Sequence, residues 1–600
     1  MAVDQSPMNK LITEHIDVWT SAVKTKSTSG RGSSKKLELY GIKKLRELIL
    51  ELAVRGKLVP QDPNDEPASV LLERIAAEKA QLVKEKKIKK QKDLPAISDD
   101  ELPYLIPENW EWCRLDDICF GITSGSTPPK SSFNESEGIP YLKVYNIRDQ
   151  KVDFDYKPQF VDIECHLTKL KRSCLYPGDV IMNIVGPPLG KVAIISNDYP
   201  EWNCNQAITF FRPIETALNT YIYTYLRAGT FLKAIDLIGT AGQDNISVTK
   251  SRSILLPTPP LKEQHRIVAK VDELMALCDQ LEQQTEASIE AHQVLVTTLL
   301  DTLTNSADAD ELMQNWARIS EHFDTLFTTE ESIDQLKQTI LQLAVMGKLV
   351  PQNPSDEPAA ELLKRIAEEK AQLVKEKKIK KQKALPPIAE DEKPFELPSG
   401  WEWCHLNSLI SEMDAGWSPA CPPEASPNHE TWGVLKTTAV QSMEYREYEN
   451  KVLSPSKEPR PQYEVKNGDI LITRAGPKNR VGVSCLVQTT RPKLMISDKI
   501  IRFHLIELGM SNNFVSLCLN AGATSVYLES AKSGMAESQM NISQDKLKMA
   551  PIPLPPIREQ TLIVKKVEEL IDLCDKLKLS LEKGKHAHFQ FTDSVIEQAV

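Results

Sequence analysis

Fifteen consecutive letters, EKAQLVKEKKIKKQK, occur at Glu78–Lys92 and again at Glu369–Lys383, 291 residues further on. A period this long marks a duplicated architecture, and it has to be read before any local pattern. The match runs from Leu45 to about Ile118 against Leu336 to Leu409 at that constant offset: ILELAVRGKLVPQDPNDEPA answers ILQLAVMGKLVPQNPSDEPA, and NWEWCRL answers GWEWCHL. A second block matches at an offset of 296, PPLKEQHRIVAKVDELMALCDQL (Pro259–Leu281) against PPIREQTLIVKKVEELIDLCDKL (Pro555–Leu577). Between the blocks the two copies barely match, yet a skeleton persists. YPGDVIMNIVG parallels VKNGDILITRAG, GQDNISVTKSR parallels ESQMNISQDKLK, and GIPYLKVYNI sits where TWGVLKTTAV does.

The repeated parts read as helix. Leu45, Ile49 and Leu52 share one face, as do Leu336, Ile340 and Leu343. Gly56 and Gly347 suit a left-handed C-terminal cap, and Pro60 and Pro351 prevent resumption. Asp65-Glu66-Pro67 reads as a new helix start, with the lysine run continuing the same helix. After PPLKEQ, apolar residues recur at steps of four and three: Ile267, Val271, Leu274, Cys278, Leu281, and in the second copy Ile563, Val567, Leu570, Cys574, Leu577, Leu581. That is a coiled-coil seam, weakened in the first copy by Thr285, Ser288 and His292. The dissimilar parts read as mixed α/β. Strands are expected at DVIMNIV, KVAIIS and AITFFRP, then at DILITRA, VGVSCLV and KIIRFHL, with apolar helices at Tyr221–Ile235 and Asn513–Leu519. The fold class is therefore α/β (α+β): two mixed domains carried by long helices, with a pseudo-twofold internal repeat. TKSTSGRGSSKK, ahead of the first repeated helix, reads as a flexible linker.

Charge and cysteine usage narrow the class. The net charge is −10, yet Cys119–Pro257 holds 14 basic and 13 acidic residues and Ser411–Ile552 holds 16 and 15. The acid lies mostly outside the two mixed segments, so a local basic face within them is permitted. Eleven cysteines form no CxxC pair, and small buried hydrophobes in a reducing compartment are the expected reading over zinc or disulfides. No run of eighteen apolar residues occurs and no signal peptide is seen at the start, so a cytoplasmic protein without a membrane span is expected.

The paired PTPPLKEQHRIV and PIPLPPIREQTLIV junctions, the GDVIMNIVG and GDILITRAG strands and the duplicated LAVxGKLVP occur twice in the same order. With that layout the chain resembles the specificity subunit of a Type I restriction–modification system, over nearly its whole length. The subclass it resembles carries a duplicated N-terminal and central region. The resemblance implies two target recognition domains joined by conserved helices that form an antiparallel coiled coil, each domain reading one half of a bipartite, asymmetric double-stranded DNA site. The coiled coil would act as a ruler for the gap. Two methyltransferase subunits would bind the repeated helices, and two restriction subunits would complete an endonuclease. The implied divisions are 1–103 N-terminal helical region, 104–258 first recognition domain, 259–394 central helices, 395–556 second recognition domain and 557–600 C-terminal spacer helix.

No phosphate loop is found, since GPPLGKV ends in Val and lacks the spacing. No Asn-Pro-Pro-aromatic tetrad, no convincing Asp…Glu-x-Lys nuclease cluster and no histidine metal pattern occurs either. The chain is expected to be non-catalytic and to hold no cofactor or metal, with S-adenosylmethionine, ATP and Mg on partner subunits.

Bases are read by side chains reaching their edges, whereas lysines and arginines on phosphates only position the protein. Candidates therefore lie in polar loops of the mixed segments. GITSGSTPPKSS offers Ser124, Ser126, Thr127 and Lys130, and its counterpart DAGWSPACPP offers Trp417. LKVYNIRDQ supplies Lys143, Asn146 and Arg148, and LKTTAVQS supplies Lys436, Thr437 and Gln441. TRAGPKNRVG holds Arg474, Lys478 and Arg480, against Asn183 and Lys191 in NIVGPPLGK. Each competes with a plain surface-loop role. The Asn-Ile-Ser motifs at Asn245 and Asn541 read as caps or turns, and Trp110, Trp112, Trp401 and Trp403 as packing anchors. The lysine run Lys84–Lys92 reads first as a solvated helix face, with phosphate contact or subunit docking as alternatives. A scaffold joining two identical partners through its coiled coil is the rival reading, and an enzyme with an unrecognised motif a third.

Overall fold

A computed structural model describes residues 11–12, 14–26, 36–92, 94–235, 238–240, 243–307, 309–381, 385–390 and 393–599. The chain divides into two compact units, residues 1–288 with 584–600, and residues 289–583. The main helices of the first half are α1 (Ile16–Ser21), α2 (Tyr40–Val54), α3 (Ala68–Lys84), α4 (Asn219–Ala228) and α5 (Leu261–Asn305). Those of the second half are α6 (Glu330–Val345), α7 (Ala359–Lys375), α8 (Asn512–Asn520), α9 (Gly522–Ala531) and α10 (Ile557–Ala599). The long helices α5 and α10 each begin in one unit and end in the other, joining two mixed α/β domains.

The repeated frame forms as its periodicity requires. Leu45, Ile49 and Leu52 of α2 are buried, and so are Leu336, Ile340 and Leu343 of α6. Gly56 closes α2 in the left-handed region at φ 71°, with its N–H donating to Ala53 O and the Lys57 N–H to Leu52 O. That is the double bond pattern of a Schellman cap, and Gly347 repeats it at φ 71°. A Cβ at Gly56 would also meet Pro107 at 2.5 Å, so conformation and space both demand glycine. The coiled-coil seam is buried too: Ile267, Val271, Leu274, Cys278 and Leu281 in α5, Ile563, Val567 and Cys574 in α10. Ser288 is exposed, as its polarity demands.

The lysine run departs from expectation. Helix α3 stops at Lys84 and α7 at Lys375, so the run lies beyond the helix instead of on it. Lys86 (φ 59°) and Lys377 (φ 60°) take the left-handed cap position, their N–H groups donating to Val83 O and Val374 O. A second Schellman cap, built on lysine, ends the helix where composition alone would extend it. Pro67 stands at the N-cap of α3, just ahead of the first turn.

Of the expected linker, residues 27–35 lie outside the described ones. On either side of them, β1 (Val23–Lys26) and β2 (Lys36–Leu39) pair antiparallel behind α1, whose Trp19 is fully buried. This segment packs on the end of α10 in the same unit. Tyr40 donates to Asp593 Oδ1 (2.8 Å) and meets Phe589 edge-on at 5.2 Å, and Lys24 lies 3.3 Å from the Tyr40 ring centroid.

The first mixed domain contains β3 (Glu111–Arg114), β4 (Thr123–Ser124), β5 (Ile139–Leu142), β6 (Phe160–Val161), β7 (Val180–Asn183), β8 (Val192–Ile194), β9 (Trp202–Cys204), β10 (Ile208–Phe211) and β11 (Leu255–Thr258). The second contains β12 (Glu402–His405), β13 (Ile410–Ala415), β14 (Gly433–Leu435), β15 (Asn450–Val452), β16 (Ile470–Thr473), β17 (Ser484–Leu486), β18 (Leu494–Met495), β19 (Ile500–Leu505) and β20 (Pro551–Leu554). Sequence similarity is nearly gone here, yet the topology is one. The four-stranded sheet runs β8-β7-β10-β4 in the first domain and β17-β16-β19-β13 in the second, antiparallel throughout. Strands β7 and β16 are buried at every position, which is why they read as unbroken apolar runs. In the second sheet β9 lies parallel to β5 and β6 antiparallel to it, exactly matched in sense by β18, β14 and β15. Each domain closes at a neck where its first and last strands pair, Trp112 opposite Pro257 and Trp403 opposite Pro553.

Trp110, Trp401 and Trp403 are buried, and Trp401 Nε1 donates to the buried Glu559 (3.1 Å). All eleven cysteines are free thiols, nine of them buried, and burial pushes Cys113 and Cys485 up to about 12. Among the described residues no helix is long and apolar enough to cross a membrane.

Candidate nucleic-acid interface

Three loops meet beside the four-stranded sheet of the first domain: the one after β4, the one before β10, and the β7–β8 hairpin. Backbone hydrogen bonds tie them together. Gly125 N–H donates to Ile208 O (2.9 Å), Ser126 N–H to Cys204 O (3.0 Å) and Ile184 N–H to Ala207 O (2.9 Å). A fourth segment joins through Ile246 N–H to Ile184 O (2.9 Å). The second domain builds the same ledge. Gly416 donates to Ile500 O (3.4 Å), Trp417 to Ile496 O (3.1 Å), Arg474 to Lys499 O (2.8 Å) and Ile542 to Arg474 O (2.8 Å). Glycine is required at its floor. A Cβ at Gly125 would lie 2.2 Å from the Cys204 and Asn205 carbonyl oxygens, and one at Gly416 would lie 1.9 Å from Ile496 O.

On this shared backbone the side chains differ. Thr127 Oγ1 donates to Gln206 Oε1 (3.1 Å). At the equivalent place Ser418 Oγ donates to Asp498 Oδ1, and the Asp498 N–H returns to Ser418 Oγ (3.2 Å). All four residues are exposed. The hairpins differ as well. Asn183 is buried, donating to Pro188 O (2.8 Å) and accepting from Lys191 N–H (2.6 Å). Thr473 spans its own loop in the same way, donating to Arg480 O and accepting from Val483 N–H (3.2 Å). Both polar groups of Asn183 are thus committed to shaping the turn. Arg480 Nη1 donates to Gln441 Oε1 (2.9 Å) and Nη2 to Thr437 O (3.2 Å), drawing three of the sequence candidates into one cluster. Arg474 is half-buried, and its Nε has no hydrogen-bond partner.

The other candidates fall as follows. Ser124 lies in β4 opposite Thr209, and Lys130 is exposed on a short 3-10 turn. Lys143 follows β5, 5.0 Å from the Phe133 ring centroid, and adjoins the ledge because Asn205 N–H donates to Leu142 O (3.0 Å). Asn146 is buried and holds its own loop through Lys143 N–H, Asp153 O and Tyr156 O. Arg148 pairs with Asp153 (3.1 Å) and lines a cleft whose other wall is Arg46 of α2 with Asp279 and Glu282 of α5. Lys191 is half-buried beside Asn183. Trp417 stacks against Arg460 (4.1 Å), Lys436 faces Glu449 (3.5 Å), and Lys478 faces Glu537 (3.6 Å). The Asn-Ile-Ser motifs are structural at both ends. Ile246 and Ile542 are buried, and Ser247 and Ser543 cap the short helices that follow by accepting from Lys250 and Lys546 N–H.

Among the described residues one group of possible metal ligands gathers, His166, Cys174 and Glu201, within 4.8 Å of one another. Asn203 Nδ2 donates to His166 Nδ1 (3.1 Å), which leaves the ring proton on Nε2, 3.0 Å from Glu201 Oε2. The group is a hydrogen-bond chain in this tautomer, with no lone pair on Nε2 to offer a metal.

The family described as Type I restriction modification DNA specificity domain matches residues 107–291 and 440–583, more than half of the chain. The chain belongs to this family. It is 54% identical over 609 aligned positions to the Type I restriction enzyme EcoEI specificity subunit of Escherichia coli, covering 99% of this chain and 100% of that one. It is 42% identical to the EcoAI specificity subunit of the same organism, with 99% and 100% covered. A solved HsdS subunit from Thermoanaerobacter tengcongensis aligns at 18% identity and a TM-score of 0.40, over 83% of this chain and 98% of that one.

Within this family setting, sequence reasoning passed over Gln206 and Asp498. Each sits among other polar letters just ahead of a largely apolar strand, Gln206 after Asn205 and Asp498 between Ser497 and Lys499, and nothing local distinguishes it. The signal was available only by aligning NCNQAITFF with MISDKIIRF, a register that the equivalent strands supply.

Proposed function

We propose that this specificity subunit reads a bipartite, asymmetric double-stranded DNA site, one half with each mixed domain, and directs adenine methylation and restriction carried out by its partners. The observation that supports this best is the pair of ledges. One backbone design appears twice, and the exposed side chains on it differ in charge and hydrogen-bonding capacity. Two readers of unlike half-sites require that combination, because groove edges differ only in donors, acceptors and methyl groups.

In this reading the repeated frame presents one surface twice, so two methyltransferase subunits dock on it and two restriction subunits join the full complex. The chain itself carries out no chemistry, and S-adenosylmethionine, ATP and Mg act on the partners in the cytoplasm. In the same reading the recognition domains are 104–258 and 395–556, and the helical regions are 1–103, 259–394 and 557–600.

The test uses the full chain purified with its methyltransferase partner. One duplex sequence should bind far better than random DNA, with affinity falling as salt rises in proportion to the phosphates contacted. Binding indifferent to sequence and salt would refute the reading in favour of a scaffold. Methyl transfer by the isolated chain would refute the assignment of chemistry to partners.

A further inference from the structure

Resting on the proposed reading of DNA by the ledges, we infer that Gln206 and Asp498 are base-discriminating residues, one per half-site, each held by a neighbouring hydroxyl. Four observations converge on this pair. They occupy equivalent places, each two residues ahead of the inner strand β10 or β19. Both are exposed. Each is steadied by the residue two positions after an obligatory glycine, Thr127 after Gly125 and Ser418 after Gly416. Their chemistry differs where the backbone does not.

The chemistry suggests which base edge each one takes. Thr127 occupies one lone pair of Gln206 Oε1, leaving the second lone pair and both Nε2 protons. A donor beside an acceptor is the complement of adenine, whose N6 amino group and N7 lie side by side in the major groove. Asp498 offers acceptors only. Ser418 takes Oδ1, so Oδ2 stays available within the side chain's own hydrogen bonds. A carboxylate beside DNA is repelled by phosphates, so it is tolerated only where a base donates to it. Cytosine N4 does so, whereas adenine N7 beside N6 would repel the second carboxylate oxygen. The first domain therefore discriminates for adenine through Gln206, and the second for cytosine through Asp498. Thr127 and Ser418 are positioning residues.

The experiment selects duplexes from a randomised pool with the full chain in complex with its methyltransferase partner. Gln206→Ala should relax one base position in one half-site, with a roughly ten- to hundred-fold loss of discrimination there and no change in the other half. Asp498→Ala should do the same in the opposite half. Asp498→Asn should move preference at that position from cytosine toward adenine, since a side-chain amide pairs with adenine's two adjacent groups. Thr127→Val should weaken discrimination at the Gln206 position without shifting the preferred base. These exposed substitutions leave the sheet intact, and unchanged thermal unfolding confirms that each variant is folded. If the wild-type complex selects a bipartite sequence and all four variants select the same one with equal stringency, the inference fails while the reading of function stands. If the wild-type complex selects nothing, both fail.

Discussion

His504 Nε2 lies 2.6 Å from Asp469 Oδ1, where the first domain places Arg212 against Asp179 at 2.6 Å. Both aspartates belong to the repeated Gly-Asp that precedes the inner strands β7 and β16, and both are buried. The first domain thus satisfies its buried carboxylate with a permanent cation, whereas the second adds a titrating histidine on Oδ1 to a longer contact from Arg502 Nη1 on Oδ2 (3.5 Å).

The hydrogen bond to Asp469 holds the His504 pKa above its ordinary value near 6.5, and Glu412 assists from the Nδ1 side (3.3 Å). A raised histidine contributes stability that is fully present below the unfolded pKa and is lost as pH rises through the folded one. Hydrogen exchange should therefore show residues 470–505 losing protection as pH climbs from about 6.5, while residues 180–211 hold theirs. His504→Arg should abolish the difference, and a parallel decline in both domains would contradict the assignment.

Replacing Lys86 or Lys377 by glycine should stabilise the chain by about 1 kcal/mol each, because a side chain in the left-handed region pays a penalty that glycine avoids. The reverse change at Gly56 should be costly, combining that penalty with the Pro107 contact at 2.5 Å. Denaturant midpoints at constant slope would measure both, and equal midpoints for the glycine variants would remove the strain argument.

Asn183→Ala should destabilise the first domain by about 1–3 kcal/mol, since it removes the two hydrogen bonds by which the buried Asn183 side chain pins its hairpin, to the Pro188 carbonyl and from the Lys191 N–H. Asn183→Thr should recover part of that loss, following the pattern Thr473 already sets in the second domain. Thermal unfolding of the three proteins is the measurement.

Arg480→Ala should weaken specific DNA binding by about 1–3 kcal/mol if the arginine meets a base edge, with the loss confined to the half-site read by the second domain. Because Arg480 is held by Gln441 and Thr437, Arg480→Lys should rescue charge without rescuing discrimination. Equal affinities for wild type and both variants would take this loop out of the interface.

Much of the frame was legible because its information is local and written twice. The Leu45 and Leu336 faces, the glycine caps and the seam each follow from spacing that the helix enforces. Strands β7, β8, β10, β16, β17 and β19 were legible as apolar runs bounded by turns. The end of α3 at Lys84 was not, because lysine is a good helix former and the left-handed turn at Lys86 is set by two backbone bonds that no composition announces. Helix α9 was also missed, since it opens on glycine and buries only Thr524, Leu528 and Ala531. At the candidate interface the polar loops were found, but a list of polar letters does not separate Asn183, which is buried inside its turn, from Gln206, which is exposed beside it. That distinction arises only when distant segments pack.

The two necks carry a consequence for how such a chain changes over time. Trp112 pairs with Pro257 and Trp403 with Pro553, so the path leaves the helical frame and returns to it at adjacent points. Five residues more lie between the paired positions in the second copy, which is the growth of the offset from 291 to 296. Insertions within such a closed excursion leave both anchorage points where they were. The interior of either domain is free to lengthen, shorten and diverge while the helices on either side keep their register.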